Sequence, residues 1–256
     1  MREKIFEGIR SIETKEGVKI LLAVESGSRA WGFPSPDSDY DVRFIYLRKP
    51  TDYLKLNKVR EVLEYPICNA LDINGWDYFK ALRLLHSSNP PLYEWFASPI
   101  AYAQHPTFKA DMQPLLTRYF SKWQIMNHYL SMAYNNAEGF ITSPEIKLKK
   151  YLYVLRALLS AKWVAEKGSS APILFTELLD SELDPEYRDI VDSLLNQEMN
   201  VSELNLIKKE EKLNSYTYKL YNKLKANLNE TKGKPDPGWE PLNQQFLFAL
   251  ENYWQE

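Results

Sequence analysis

The chain opens with apolar residues at helical spacing, Ile5, Phe6, Ile9 and Ile12, on an otherwise charged segment that breaks at Lys15-Glu16-Gly17. That spacing predicts an amphipathic helix over residues 2–13. Val18–Val24 (VKILLAV) is a short apolar run between Gly17 and Gly27 and reads as a buried strand. A polar loop with glycine and proline follows from Ser26 to Ser38, and Asp41–Leu47 (DVRFIYL) reads as a second strand. Shorter strands are expected around Val59–Tyr65 and Ala70–Ile73, with a turn at Pro66–Asn69. From Trp76 the period lengthens to that of helices. One is expected over Trp76–Leu85, the next opens at Pro91, and others cover about 107–120, 122–138, 145–167, 184–198, 203–229 and 240–254. The pattern predicts a mixed α/β (α+β) unit over residues 1–105 and an all-helical domain over 106–256.

Composition narrows the classes. With 256 residues, 45% hydrophobic and 26% charged, the chain can bury a substantial core. An aromatic share of 14% argues against disorder. The formal net charge of -2 excludes a polycation, so any anion site is a local patch. Cys68 is the single cysteine, which excludes an internal disulfide framework, and it reads as a small buried hydrophobe. The charged N-terminus lacks a signal-peptide apolar stretch, and no apolar run reaches the roughly 20 residues that span a bilayer. A cytoplasmic protein without membrane partners is expected.

The chemistry concentrates in Glu25–Val42 (ESGSRAWGFPSPDSDYDV). A Gly-Ser pair follows a buried strand, and Asp39-Tyr40-Asp41 opens the next. Alternate residues of a strand share a face, so Asp39 and Asp41 are expected to point the same way. Two carboxylates at that spacing suit Mg²⁺ (or Mn²⁺), a hard cation that completes its shell with phosphate oxygens and water. Gly27 permits close backbone approach to a phosphate, and the Ser28 hydroxyl can donate to its oxygens. A third carboxylate is needed as base or second-metal ligand. Asp72, between Leu71 and Ile73 on a later strand, fits, with Glu64 and Asp77 as competitors. Asp77 also explains itself as an acid at the start of a helix.

These residues resemble the G-S…D-x-D…D pattern of DNA polymerase β-type nucleotidyltransferases. The fuller wording of residues 27–46, 72–100, 128–133 and 149–163 is similar to the YcgL-type branch, which is associated with RNA repair pathways. The resemblance covers roughly residues 18–180. It implies the polymerase β-like palm, with Gly27 and Ser28 as phosphate loop and Asp39, Asp41 and Asp72 as catalytic metal carboxylates. It also implies transfer of a nucleoside monophosphate from a nucleoside triphosphate, ATP among them, to a hydroxyl, with an RNA end as first choice of acceptor. Modification of a protein hydroxyl or a small molecule uses the same residues, and a non-catalytic nucleotide-binding module is the rival of another class.

Secondary candidates lie elsewhere. Lys149, Tyr153 and Arg156 fall on one broad face of a helix that also carries Lys147, Lys150 and Lys162. They can bind triphosphate or an acceptor strand with tyrosine stacking on a base, or form a solvated face over aromatic core. Arg29 can neutralise phosphate charge or pair with Asp37 or Asp39. His128 reads as a core histidine, and Lys80 and Arg83 are weaker candidates. The oligomeric state is not legible.

Overall fold

The computed structural model describes residues 1–66, 70–137, 145–201, 206–228 and 236–254. The Cys68 reading and most of the Pro66–Asn69 turn lie outside them. The chain forms two compact units, and both are interleaved along the sequence. One comprises Met1–Gly27, Asp39–Phe120 and Pro235–Glu256; the other comprises Ser28–Ser38 and Ser121–Lys234. The hydrophobic pattern alone divides the chain into two consecutive segments instead.

The first unit is built on a five-stranded sheet. Its strands are β1 (Val18–Ser26), β2 (Tyr40–Arg48), β3 (Val62–Glu64), β4 (Leu71–Asp77) and β5 (Ala101–Gln104), in the order β3-β4-β2-β1-β5. β1 pairs antiparallel with β2 and β5, β3 antiparallel with β4, and β2 parallel with β4. Helix α1 (Arg2–Glu16) ends at Gly17, whose left-handed φ of 61° closes the last turn. It buries Ile5, Ile9 and Ile12 against Val42, Phe44, Tyr46, Leu63 and Ile73 of the sheet. By strand alternation Asp41 and Arg43 of β2, and Asp72, Asn74 and Trp76 of β4, occupy the opposite face. There Trp76 stacks on Trp95 of α4 (Pro90–Ala97), centroids 3.9 Å apart.

Helix α3 (Tyr78–His86) starts two residues later than expected because β4 runs on to Asp77. Asp77 is its N-cap: the carboxylate accepts from the Phe79 amide at 2.9 Å. Helix α5 (Phe108–Tyr119) and the last helix, α11 (Glu240–Asn252), complete the unit. Tyr253 donates to Asp111 at 2.7 Å, Trp254 Nε1 to the Arg48 carbonyl at 2.6 Å, and Trp239 stacks on His86 at 3.7 Å.

The second unit is helical. Its central member, α7 (Leu148–Lys167), packs against α6 (Lys122–Ala137), α8 (Phe175–Glu182), α9 (Arg188–Glu198) and α10 (Glu211–Leu228). Surrounded on several sides, α7 buries twelve residues, Arg156 and Ser160 among them. Short strands β6 (Glu145–Lys147) and β7 (Leu206–Lys208) pair antiparallel. The Ser26–Ser38 stretch expected to be wholly loop contains a turn of helix, α2 (Gly27–Trp31). Among the described residues, no helix is long and apolar enough to cross a membrane.

Candidate active site

β2 and β4 run parallel in a register that sets Asp41 directly opposite Asp72 and Arg43 opposite Asn74. The two aspartates therefore share a sheet face on adjacent strands. One nitrogen, Arg43 Nη2, donates to both, at 3.0 Å to Asp41 Oδ1 and 2.7 Å to Asp72 Oδ2. Arg43 Nη1 adds bonds to the Val42 and Asp72 carbonyls, each 3.2 Å. All three side chains are partly open to solvent, at 20% for Arg43, 29% for Asp41 and 26% for Asp72. The alternation expected to pair Asp39 with Asp41 also puts Arg43 on this face, so the position of Arg43 was open to sequence reasoning. Asp39 itself falls ahead of the strand, whose first residue is Tyr40, and alternation does not carry it onto this face.

Gly27 follows β1 at a φ of +63°, a conformation that costs little only for glycine. A Cβ there would lie 2.3 Å from Asp41 Oδ2. What glycine permits here is the close approach of a carboxylate to the chain, where sequence reasoning invokes a phosphate. Beneath it, the Asp41 amide donates to Glu25 Oε1 at 2.8 Å. Glu25 is 1% exposed, its other oxygen accepts from the Tyr102 hydroxyl, and Ser98 Oγ donates to its carbonyl at 2.7 Å. This buried carboxylate fixes the main chain at Asp41 from the opposite strand. Neither Glu25 nor Tyr102 carries a motif that marks it in the sequence.

The chemistry of the pair fits a divalent cation. Two carboxylate oxygens already converge on one positively charged nitrogen, and Mg²⁺ takes one or two carboxylates in such sites. Among the described residues, no three of Asp, Glu, His and Cys gather to hold a metal ion by themselves. Asp39 is exposed just ahead of β2, whose first residue is Tyr40. Glu64, the competitor of Asp72, is exposed on β3 and accepts from Asn74 Nδ2 at 3.2 Å. Asp77 is fully buried and occupied as a helix cap.

The other nucleotide-binding candidates lie in the helical unit. Ser28 is buried and its hydroxyl donates to Ser38 Oγ at 3.2 Å; Ser38 Oγ accepts from the Ser35 amide at 3.0 Å. Arg29 Nη2 donates to the Ser38 carbonyl at 2.8 Å. These contacts close the Ser28–Ser38 segment on itself, and its aromatic residues rest on α7. Trp31 meets Tyr153 edge-on at 4.9 Å, and the Arg156 guanidinium lies 4.0 Å from the Trp31 ring centre. Lys149 Nζ stands 5.7 Å from the Tyr153 ring. Thus Lys149, Tyr153 and Arg156 do share a face, but Arg156 is 1% exposed, and its contact is aromatic. His128 is half-buried beside Tyr129; Lys80 is half-buried, and exposed Arg83 approaches Glu61 at 3.5 Å.

Residues 1–248 match the family described as RNA repair pathway DNA polymerase beta family. An uncharacterized Bacillus subtilis (strain 168) protein, YcgL, is 37% identical over 257 residues, covering 100% of this chain and 99% of that protein. A crystal structure of a nucleotidyltransferase-like protein from Exiguobacterium sibiricum 255-15 is 13% identical, with a TM-score of 0.34 over 97% of this chain and 80% of that one.

Proposed function

This chain belongs to the RNA repair pathway DNA polymerase beta family, and from that premise we propose that it transfers a nucleoside monophosphate from a nucleoside triphosphate to the hydroxyl of an RNA end. Its mixed sheet with flanking helices supports the polymerase β-like palm expected of that family. The observation that carries the reading is the in-register pair Asp41 and Asp72, converging on one cationic nitrogen.

In this reading Asp41 and Asp72 would hold Mg²⁺ or Mn²⁺ in the place where Arg43 Nη2 lies in this structure. Asp39, exposed just ahead of β2, stands outside that pair and would have to turn toward it to serve as a further ligand. A divalent cation held there would supply positive charge beside the triphosphate and lower the pKa of the attacking hydroxyl. Asp72 orients that hydroxyl and accepts its proton. The hydroxyl oxygen bonds to the α-phosphorus, the bond to the bridging oxygen breaks, and pyrophosphate leaves with the electron pair. Glu25 is a positioning residue, acting through the Asp41 main chain.

The test is incubation with each labelled nucleoside triphosphate, Mg²⁺ or Mn²⁺ and total RNA. Label should enter RNA and vanish with Asp41→Ala or Asp72→Asn. Label confined to protein or small molecules would overturn the RNA acceptor, and full turnover by Asp41→Ala would overturn the site. A second readout needs no turnover. Arg43→Gln removes the guanidinium that lies between the two facing carboxylates, so Mg²⁺ should raise its unfolding temperature more than that of wild type.

A further inference from the structure

We propose that the helical unit carries a site for one unstacked base of single-stranded RNA, in a cavity between α6, α7 and α10. The cavity measures about 390 Å³, within the range of small-ligand sites and ample for a base. Tyr134 and Tyr221 stand on facing helices with ring centres 6.3 Å apart and planes inclined by 31°; Tyr218 borders the same space. Tyr134 is 64% exposed and Tyr218 71%, a large apolar area to leave in water. Val154 and Leu158 of α7 form an apolar floor. Asn214 Oδ1 is buried at the lining and, among the described residues, accepts no hydrogen bond. A buried acceptor left open in this way costs free energy that a donor on a ligand recovers.

The chemistry selects the occupant. A purely apolar molecule would leave the Asn214 oxygen unsatisfied. A base brings flat faces for the tyrosines and an N–H edge for the amide, and its strand brings phosphates. The cations for those phosphates are on the same helix. α10 carries Lys212, Lys219, Lys223 and Lys225, all exposed, against the single acid Glu211. Lys225 Nζ lies 5.5 Å from the Tyr221 ring centre. α10 is thus a second basic, aromatic helix beside α7, and on it Tyr218 and the lysines are accessible together.

This inference deepens the proposed RNA acceptor, and its test is arranged to fail separately. A 5′-fluorescein-labelled, mixed-sequence single-stranded RNA 12-mer is titrated with the whole protein in EDTA, without nucleotide, and anisotropy is read at several salt concentrations. Tyr218→Ala and Tyr134→Ala should each weaken binding roughly five- to 150-fold and keep the salt dependence. Lys219→Gln/Lys223→Gln should flatten the slope of log affinity against log salt by about 0.7 for each phosphate that is no longer neutralised. Wild-type affinity in both tyrosine variants, with unchanged unfolding temperatures, would overturn the site. So would equal affinity for a duplex, or no binding by wild type. Transfer to RNA that persists in that case leaves the acceptor reading standing without this pocket. Tyrosine-dependent binding without any transfer supports the pocket and removes the acceptor reading.

Discussion

Gly27 and Gly17 have nearly the same backbone, φ +63° and +61°, but different surroundings. A Cβ at Gly17 meets nothing within 4 Å, whereas one at Gly27 meets Asp41 Oδ2 at 2.3 Å. Gly17→Ala should therefore cost about 1 kcal/mol for the left-handed conformation and leave transfer intact. Gly27→Ala carries the same backbone cost and also displaces the Asp41 carboxylate, so turnover should collapse. Parallel denaturant melts and transfer assays separate the two, and equal behaviour would mean that Asp41 tolerates the methyl. Asp77 offers a test of another kind. Burial pushes its carboxyl up from 3.8 to about 6, against the bonds from Phe79 and Tyr53 and the pull of Arg48. The folded chain thus holds this proton more tightly than the unfolded chain. The contribution to stability is complete below about pH 4 and is lost as pH rises through about 6, on the order of 3 kcal/mol in all. Asn caps a helix as Asp does. The difference in stability between wild type and Asp77→Asn should accordingly shift in favour of the variant between pH 4 and pH 6.5, and a constant difference would show that Asp77 titrates as in the unfolded chain.

At the scale of elements, the β2·β4 ladder decides whether the aspartates face each other. Gly75 lies opposite Phe44, and a Cβ at Gly75 would come within 2.2 Å of that ring. Gly75→Ala should cost about 1–3 kcal/mol through overpacking and reduce turnover by moving Asp72 against Asp41. A double-mutant cycle with Phe44→Leu should show coupling between the two sites; additive losses would argue against the contact. Elements with long, strong periodicity were legible in the sequence: α1, β1, β2, α5, α6 and α7 fall close to where the hydrophobic pattern predicts them. What escaped is short or decided by tertiary contact. β5 has four residues and no apolar alternation, and α8 has eight, with Leu178 and Leu179 its only leucines. The Asp41 and Asp72 pairing needed β2 and β4 to be neighbours, which spacing allows but does not dictate. Glu25 and Tyr102 are joined across 77 residues, so no local pattern announces them. On α7 the sequence shows basic residues at helical spacing, but it does not show that neighbouring helices bury Arg156 among them.

For the whole molecule, the sheet unit depends on the end of the chain. Leu242, Ala249 and Tyr253 are buried, and Phe246 meets Tyr53, Tyr78 and Phe79 at 5.1, 6.2 and 5.4 Å. A chain ending at residue 235 should lose several kcal/mol, at about 1.5–3 kcal/mol per large side chain uncovered. Its sheet unit should then be the first to open to protease. Retention of the wild-type melting temperature would show α11 to be dispensable. The same interleaving bears on how the protein is made. The ribosome finishes residue 120 and must then synthesise the whole of Ser121–Lys234 before the helix that completes the first unit emerges. At 5–20 residues per second that interval lasts about 6 to 23 s. Throughout it Tyr53, Tyr78 and Phe79 lack their covering helix, so the nascent chain presents an aromatic surface to chaperones that the finished protein has closed.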